Sequence, residues 1–488
     1  MRVSALALLL PLLAASPASA AIRCGTHDHF AGALSRIRPA HPALPASFAG
    51  KLTRDALGTF PNAVESSNFV LKWGSAATYS APTTTLALDA LEAAWNLEVT
   101  SMVQPQPPGA ATYKINVYIG NSGAPAPTVP QFAYAYADID ADGDAIIVMS
   151  PEAMAALTDP QQSAGALTTI AHEFYHAVQF GTGNFTADTD YWYWEASAMW
   201  IQGQAYPDGG AESEFMGGYV MYPEVALDFY DYPDTGTLIE YHHYGAGIFL
   251  RYISEKVADY HVMRDAWVDA SPSAHALEAL DANLQAAGSS LPEAFAGMAA
   301  HNAVLDYQHG DVYAYYIDYF VSAYPTEDFR VAVALGATGG SGAAPAARNP
   351  AAWGYNLITM APGKIGPLHA SVRGAPNGSL GTSGVYRATL VRRTPAGVSY
   401  DALTGTDREI AATVDLDGTE TQIVLAVVAA PVTRKANEVF PWDYALSLGG
   451  GGKGQACGCD LETTAGASMP ALLAAISLGV IALRRRRT

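Results

Sequence analysis

Residues 172 to 176 read His172-Glu173-Phe174-Tyr175-His176, and no other stretch constrains this chain as strongly. The apolar positions around it, Leu167, Ile170, Ala171, Phe174, Ala177 and Val178, recur at helical spacing, with Gly181 as the expected end. On a helix, histidines four residues apart lie one turn apart on the same face, so both imidazoles reach one ion about 2.0 to 2.1 Å away. Glu173 stands beside them, placed to hold a water molecule and take its proton. With 12 histidines in 488 residues, chance supplies such a pentapeptide roughly 0.01 times.

A catalytic zinc takes three protein ligands and keeps a fourth position open. A glycine three residues after the second histidine and a third histidine six after would complete one known arrangement. Gln179 and Thr182 stand there instead. The next candidate is Glu195, with 18 residues between it and His176, in Tyr191-Trp192-Tyr193-Trp194-Glu195-Ala196-Ser197-Ala198-Met199-Trp200. The loop from Gly181 to Asp190, with Thr189 or Asp190 as N-cap, lets this second helix return antiparallel to the first. An acid in so apolar and aromatic a turn is costly to bury without a partner, and a metal supplies one. Asp188 and Asp190 are the fallback third ligands.

At these residues the chain resembles the gluzincin metallopeptidases, whose glutamate ligand follows the H-E-x-x-H on a second helix. Trp194-Glu195-Ala196-Ser197-Ala198 is similar to the tryptophan, glutamate and small-residue pattern of their aminopeptidase branch. The resemblance spans about 30 residues. It implies a zincin-like fold, His172, His176 and Glu195 as zinc ligands, and Glu173 as general base and acid. Tyr244 with Gly247, in Tyr241-His242-His243-Tyr244-Gly245-Ala246-Gly247 before a helix from Ile248 to Lys256, resembles that branch's tyrosine-x-x-glycine, whose tyrosine stabilises the oxyanion. His242 or His243 is the alternative donor, as in the thermolysin branch. No segment matches the acidic loop that holds a substrate amine in the aminopeptidase branch, which favours an endopeptidase.

Both ends of the chain read as processing signals. Residues 1 to 20 combine Arg2, an apolar run from Ala5 to Ala15 and Ala18-Ser19-Ala20, the layout of a secretory signal peptide. At the other end, Gly449 to Gly452 leads to Cys457-Gly458-Cys459, an apolar stretch from Ala465 to Leu483 and four arginines. This resembles the MYXO-CTERM sorting tail of myxobacterial surface proteins, and the chain is similar to myxobacterial metallopeptidases that carry it. The stretch of about 19 residues just spans a hydrocarbon core as a transmembrane helix before processing, with the arginines on the inner side. The expected location is the cell surface, the outer membrane or the outside medium.

Composition narrows the remaining classes. Half of the residues are hydrophobic and 15% are charged, which excludes disordered and coiled-coil chains. The formal charge of −20 becomes −23 without residues 1 to 20 and 460 to 488, and a surface of that sign excludes nucleic acid as a partner. The three cysteines are an odd number and two belong to the tail, so no disulfide scaffold or thiol enzyme is expected. The organisation expected is α+β: an N-terminal segment (21–60), a zincin-like peptidase domain (61–335), a Gly/Ala/Pro-rich linker (336–350), a small all-β sandwich domain (351–448) and the spacer and tail (449–488). Strands are expected at 69–73, 113–119 and 145–149, and helices at 84–99, 163–180 and through much of 190–325.

Two further features carry chemistry-bearing residues. Asp138-Ile139-Asp140-Ala141-Asp142-Gly143-Asp144 imitates the start of a calcium loop, but Met149 stands where the bidentate acid belongs. A solvated acidic turn is the preferred reading and a stabilising Ca²⁺ the alternative. His27-Asp28-His29, close to Cys24, is assigned to a flexible new N-terminus. The function expected is a secreted or surface-anchored zinc endopeptidase acting on a peptide or protein substrate. The alternative is a catalytically silent, zinc-stabilised binding or adhesion protein.

Overall fold

The computed structural model describes residues 24–37, 50–130, 133–207, 211–230, 238–271, 274–323, 330–374, 385–406, 409–431 and 438–449. They belong to one compact unit, Met1–Gly449, while a second unit, Gly450–Thr488, lies outside them, as do the residues expected to form a signal peptide and a sorting tail. The architecture is mixed α+β with a β-rich C-terminal region.

Five strands form the first sheet: β1 (Asn62–Glu65), β2 (Phe69–Trp73), β3 (Ile115–Ile119), β4 (Ala135–Ile139) and β5 (Ala145–Met149), in the order β1-β2-β3-β5-β4. The inner strands β2, β3 and β5 run parallel, with Phe69 opposite Ile115 and Val117 opposite Ile147, and every residue in them is buried. Continuous apolar runs are what a strand covered on both faces requires. Parallel pairing also demands a crossover, and helix Ala81–Trp95 provides it, opened by the Ser80 side chain accepting from Thr83 N–H. The antiparallel strands β1 and β4 close the two edges.

The helix carrying the pentapeptide, Ser163–Thr182, lies against this sheet. Phe174 meets Phe69 and Trp95 at ring-centroid distances of 5.4 and 5.9 Å. The helix ends slightly later than the sequence suggests, at Gly183, whose φ of +66° is the left-handed conformation that suits glycine. Gly181 is fixed for another reason: a Cβ there would sit 2.5 Å from the Gln106 carbonyl oxygen. Helix Tyr191–Ala205 packs on the motif helix, and further helices continue to Ala323, as expected for this region.

The β-rich region is a two-sheet sandwich, and it begins earlier than expected. Its strands are β6 (Val331–Leu335), β7 (Gly339–Ala343), β8 (Gly354–Met360), β9 (Ile365–Gly374), β10 (Tyr386–Thr394), β11 (Gly397–Ala402), β12 (Thr404–Thr406), β13 (Glu409–Asp417), β14 (Gln422–Ala429) and β15 (Trp442–Leu448). They order as β11-β10-β14-β8-β6 and β12-β13-β9-β15-β7. The proposed linker 336–350 is thus corrected: its glycine-rich core is β7, which pairs along β15. Glycines there leave room for the neighbouring strand, since a Cβ at Gly339 would meet the Leu446 carbonyl at 2.0 Å. Nor does the sandwich stand apart. Along β14, Ile423, Leu425 and Val427 face the core between the two sheets, while Val424, Ala426 and Val428 join the core shared with the helices. Among the described residues no helix is long and apolar enough to cross a membrane.

Candidate metal centre

Helix geometry turns the two histidines of the pentapeptide to one side, where their Nε2 atoms lie 3.1 Å apart. Glu195, from the next helix, meets both: its Oε2 is 3.1 Å from His172 Nε2 and its Oε1 is 3.3 Å from His176 Nε2. The sequence-based trio His172, His176 and Glu195 therefore converges. A fourth donor comes from the N-terminal segment, where Cys24 Sγ lies 3.4 Å from His176 Nε2. All four donor atoms fall within 4.8 Å of one another and all four residues are buried, a group that could hold a metal ion.

The spacing fits such an ion. Metal bonds of about 2.0 to 2.2 Å to nitrogen and oxygen and about 2.3 Å to sulfur give tetrahedral edges of about 3.3 to 3.6 Å. The shorter separations, 3.1 to 3.4 Å, lie close to that range, and the full spread of up to 4.8 Å closes by small side-chain adjustments around an ion. The outer contacts also suit it. His176 Nδ1–H donates to Gln179 Oε1 at 2.6 Å, which leaves the Nε2 lone pair facing the centre. Gln179 in turn donates to the Trp194 carbonyl and to Ser197 Oγ, so it ties the helices that carry His176 and Glu195 together. Electrostatics follow the same lines. Burial by itself raises the Glu195 pKa, but the neighbouring His27 and His176 and the hydrogen bond with His172 hold it well below the carboxylate range. Burial and the Glu173 and Glu195 carboxylates push the Cys24 thiol up.

Glu173 is fully buried beside this group. Its Oε2 accepts from Thr26 Oγ1 at 2.7 Å, while Oε1 has no hydrogen-bond partner among the described residues. Tyr244, expected as an oxyanion donor, does border the centre. Its ring lies 6.3 Å from that of His172, and its hydroxyl is 2.9 Å from His27 Nε2. The His243 ring lies tilted against it at 4.4 Å, whereas His242 turns away between the rings of Tyr219 and Phe229. Gly247 serves the packing: a Cβ there would approach the Ala196 carbonyl to 2.9 Å, on the helix that carries Glu195. The fallback ligands are corrected. Asp190 accepts from Ala276 N–H and lies 3.1 Å from His275 Nδ1, capping another helix, and Asp188 is exposed.

Two expectations are overturned nearby. Residues 24 to 29 are no loose terminus: Cys24, Thr26 and His27 are buried against the centre, and His27 Nε2 is 3.2 Å from Glu195 Oε1. Burial lowers the His27 pKa to about 4 despite that carboxylate. The sequence carried a signal for this, a Cys-x-x-His that leaves Cys24 as the cysteine outside the C-terminal pair. The acidic turn, for its part, is not a solvated one. Asp140 and Asp144 are buried, and the cation facing them is Arg54, paired with Asp140 and lying 3.1 Å from Asp144. With a guanidinium in place, calcium loses its electrostatic reason to bind there.

The chain belongs to a family of unknown function, DUF6055, whose profile matches residues 46–444. Among solved structures it is similar to the pre-peptidase C-terminal domain of a collagenase from Bacillus anthracis, with 12% identity over 24% of this chain and 96% of that one. The TM-score of 0.17 is too low to bear on fold or function. No curated protein matches.

Proposed function

We propose that this DUF6055 member is a zinc-dependent endopeptidase of the gluzincin type, with His172, His176 and Glu195 as the zinc ligands. The observation that carries the reading is the convergence of those donors beside a buried Glu173 whose Oε1 has no hydrogen-bond partner among the described residues. Zinc bound at these donors would polarise a peptide carbonyl and acidify a water molecule. Glu173, with Oε1 open to a hydrogen bond, orients that water, takes its proton and hands it to the departing amine. Tyr244, fully enclosed and with a pKa raised by burial, keeps its hydroxyl proton and offers it to the developing oxyanion. Gln179 holds His176 in the tautomer that ligation needs. Export to the cell surface belongs to the same proposal and rests on the two terminal segments.

A second reading has a specific observation in its favour. Four protein donors, Cys24 included, make a closed set of the kind structural zinc sites use, which suits a silent binding protein. The test is zinc content and peptide-library cleavage for the full chain and Glu173→Gln. A peptidase keeps its zinc when Glu173 becomes Gln and loses about 10²- to 10⁴-fold in kcat. Stoichiometric zinc with equal cleavage by wild type and Glu173→Gln, even after displacement of Cys24, leaves the silent reading standing.

A further inference from the structure

Residues 24 to 28 reach the centre along the free edge of the first sheet. Strand β4 is the last in its order, and Gly25 N–H donates to the Ala135 carbonyl at 3.0 Å while Ala137 N–H donates to Thr26 Oγ1 at 2.9 Å. The segment is a short 3₁₀ turn, Thr26–Asp28, so one backbone and one side-chain hydrogen bond fasten it to this edge. The contact is close: a Cβ at Gly25 would lie 3.2 Å from Ala133 Cβ, the Ala135 carbonyl and Tyr136 Cβ.

From that edge the segment touches His176, Glu173, Glu195 and Tyr244. Cys24 Sγ completes the donor set, Thr26 Oγ1 covers Glu173 Oε2, and His27 Nε2 lies against Glu195 Oε1 and the Tyr244 hydroxyl. Thr26 N–H donates to Cys24 Sγ at 3.3 Å, the kind of contact that steadies a thiolate ligand.

We infer that the Cys24–Asp28 segment is an internal occupant of the peptide-binding cleft, with the Cys24 thiolate as a displaceable fourth metal ligand that keeps the enzyme latent. This rests on the metallopeptidase reading and adds its regulation.

The experiment uses the full chain with Cys457→Ser and Cys459→Ser, so that Cys24 is its one thiol, loaded with Co²⁺ for spectroscopy and Zn²⁺ for kinetics. The Cys24-containing protein is expected to show an intense near-ultraviolet thiolate-to-cobalt charge-transfer band. Cys24→Ala loses that band, keeps the weak visible cobalt bands, and cleaves an unstructured peptide roughly 10- to 100-fold faster, as removing an occupant present most of the time predicts. Gly25→Val, which alters no donor, crowds the segment off β4 and moves both readouts in the same direction. Cobalt bound without the charge-transfer band overturns the thiolate ligand and leaves the peptidase reading intact. A band together with no acceleration from either substitution overturns latency. Failure to bind cobalt at all removes the metallopeptidase reading itself.

Discussion

Two places in this molecule gather carboxylates out of water, and they solve the same problem differently. In the turn from Asp138 to Asp144, the buried Asp140 and Asp144 face the guanidinium of Arg54, and Asp140 Oδ1 also accepts from Asp142 and Asp144 N–H. That cluster carries its own cation. Around Glu195 there is no arginine or lysine among the described partners: the carboxylate meets His27, His172 and His176, groups that are cationic only when protonated. A buried charge demands compensation, so the first arrangement is complete as a structural ion pair and the second draws its compensation from imidazoles or from an ion outside the chain. Acid clusters of similar appearance thus differ in whether the sequence itself supplies the counter-charge.

The largest effect should fall on the centre. Glu195→Ala is expected to lower zinc from stoichiometric to background after dialysis. With it goes the chelator-sensitive part of stability, about 4 kcal/mol when free zinc is a thousandfold above Kd. Metal analysis and thermal melts with and without chelator check this. Retained zinc would break the comparison at its first term.

Arg54→Met tests the other region. It strands two buried aspartates, and a loss of about 3 to 5 kcal/mol is expected from denaturant unfolding. Wild-type melts should not respond to calcium or to its chelation. A calcium-dependent midpoint in the wild type would mean that the turn, too, takes an external cation.

The contact behind the centre should matter less. Gln179→Ala removes the acceptor for His176 Nδ1–H, and competition with a metal indicator is expected to report about 10- to 100-fold weaker zinc binding with the fold intact.

Glu98 sharpens the contrast at the small end. It is fully buried, its carboxylate oxygens have no hydrogen-bond partner among the described residues, and burial raises its pKa well above normal. A raised carboxyl pKa means the folded state binds the proton more tightly, so its contribution is favourable below the unfolded pKa and is lost as pH rises toward the folded one. Glu98→Gln should therefore raise the melting temperature at neutral pH, and the gain should shrink as pH falls toward the ordinary carboxylate value. An unchanged or lower midpoint at neutral pH would show that this acid does have a partner.

Local pattern determined a good deal of this protein. The spacing of His172 and His176, the apolar stripe through Phe174 and Val178, and the acid alone among aromatics at Glu195 are short-range features, and helical periodicity converts them directly into direction in space. The buried runs at 69–73 and 145–149 were legible for the same reason, since a strand covered on both faces must be continuously apolar. Only tertiary structure decided that Arg54 answers Asp140 and Asp144, that the glycines at 339–343 form a strand, and that Cys24 meets His176 across 152 positions of chain. Those outcomes depend on which distant segment fills an edge or neutralises a charge. That choice is made by packing and burial, and no periodicity in the neighbouring residues encodes it.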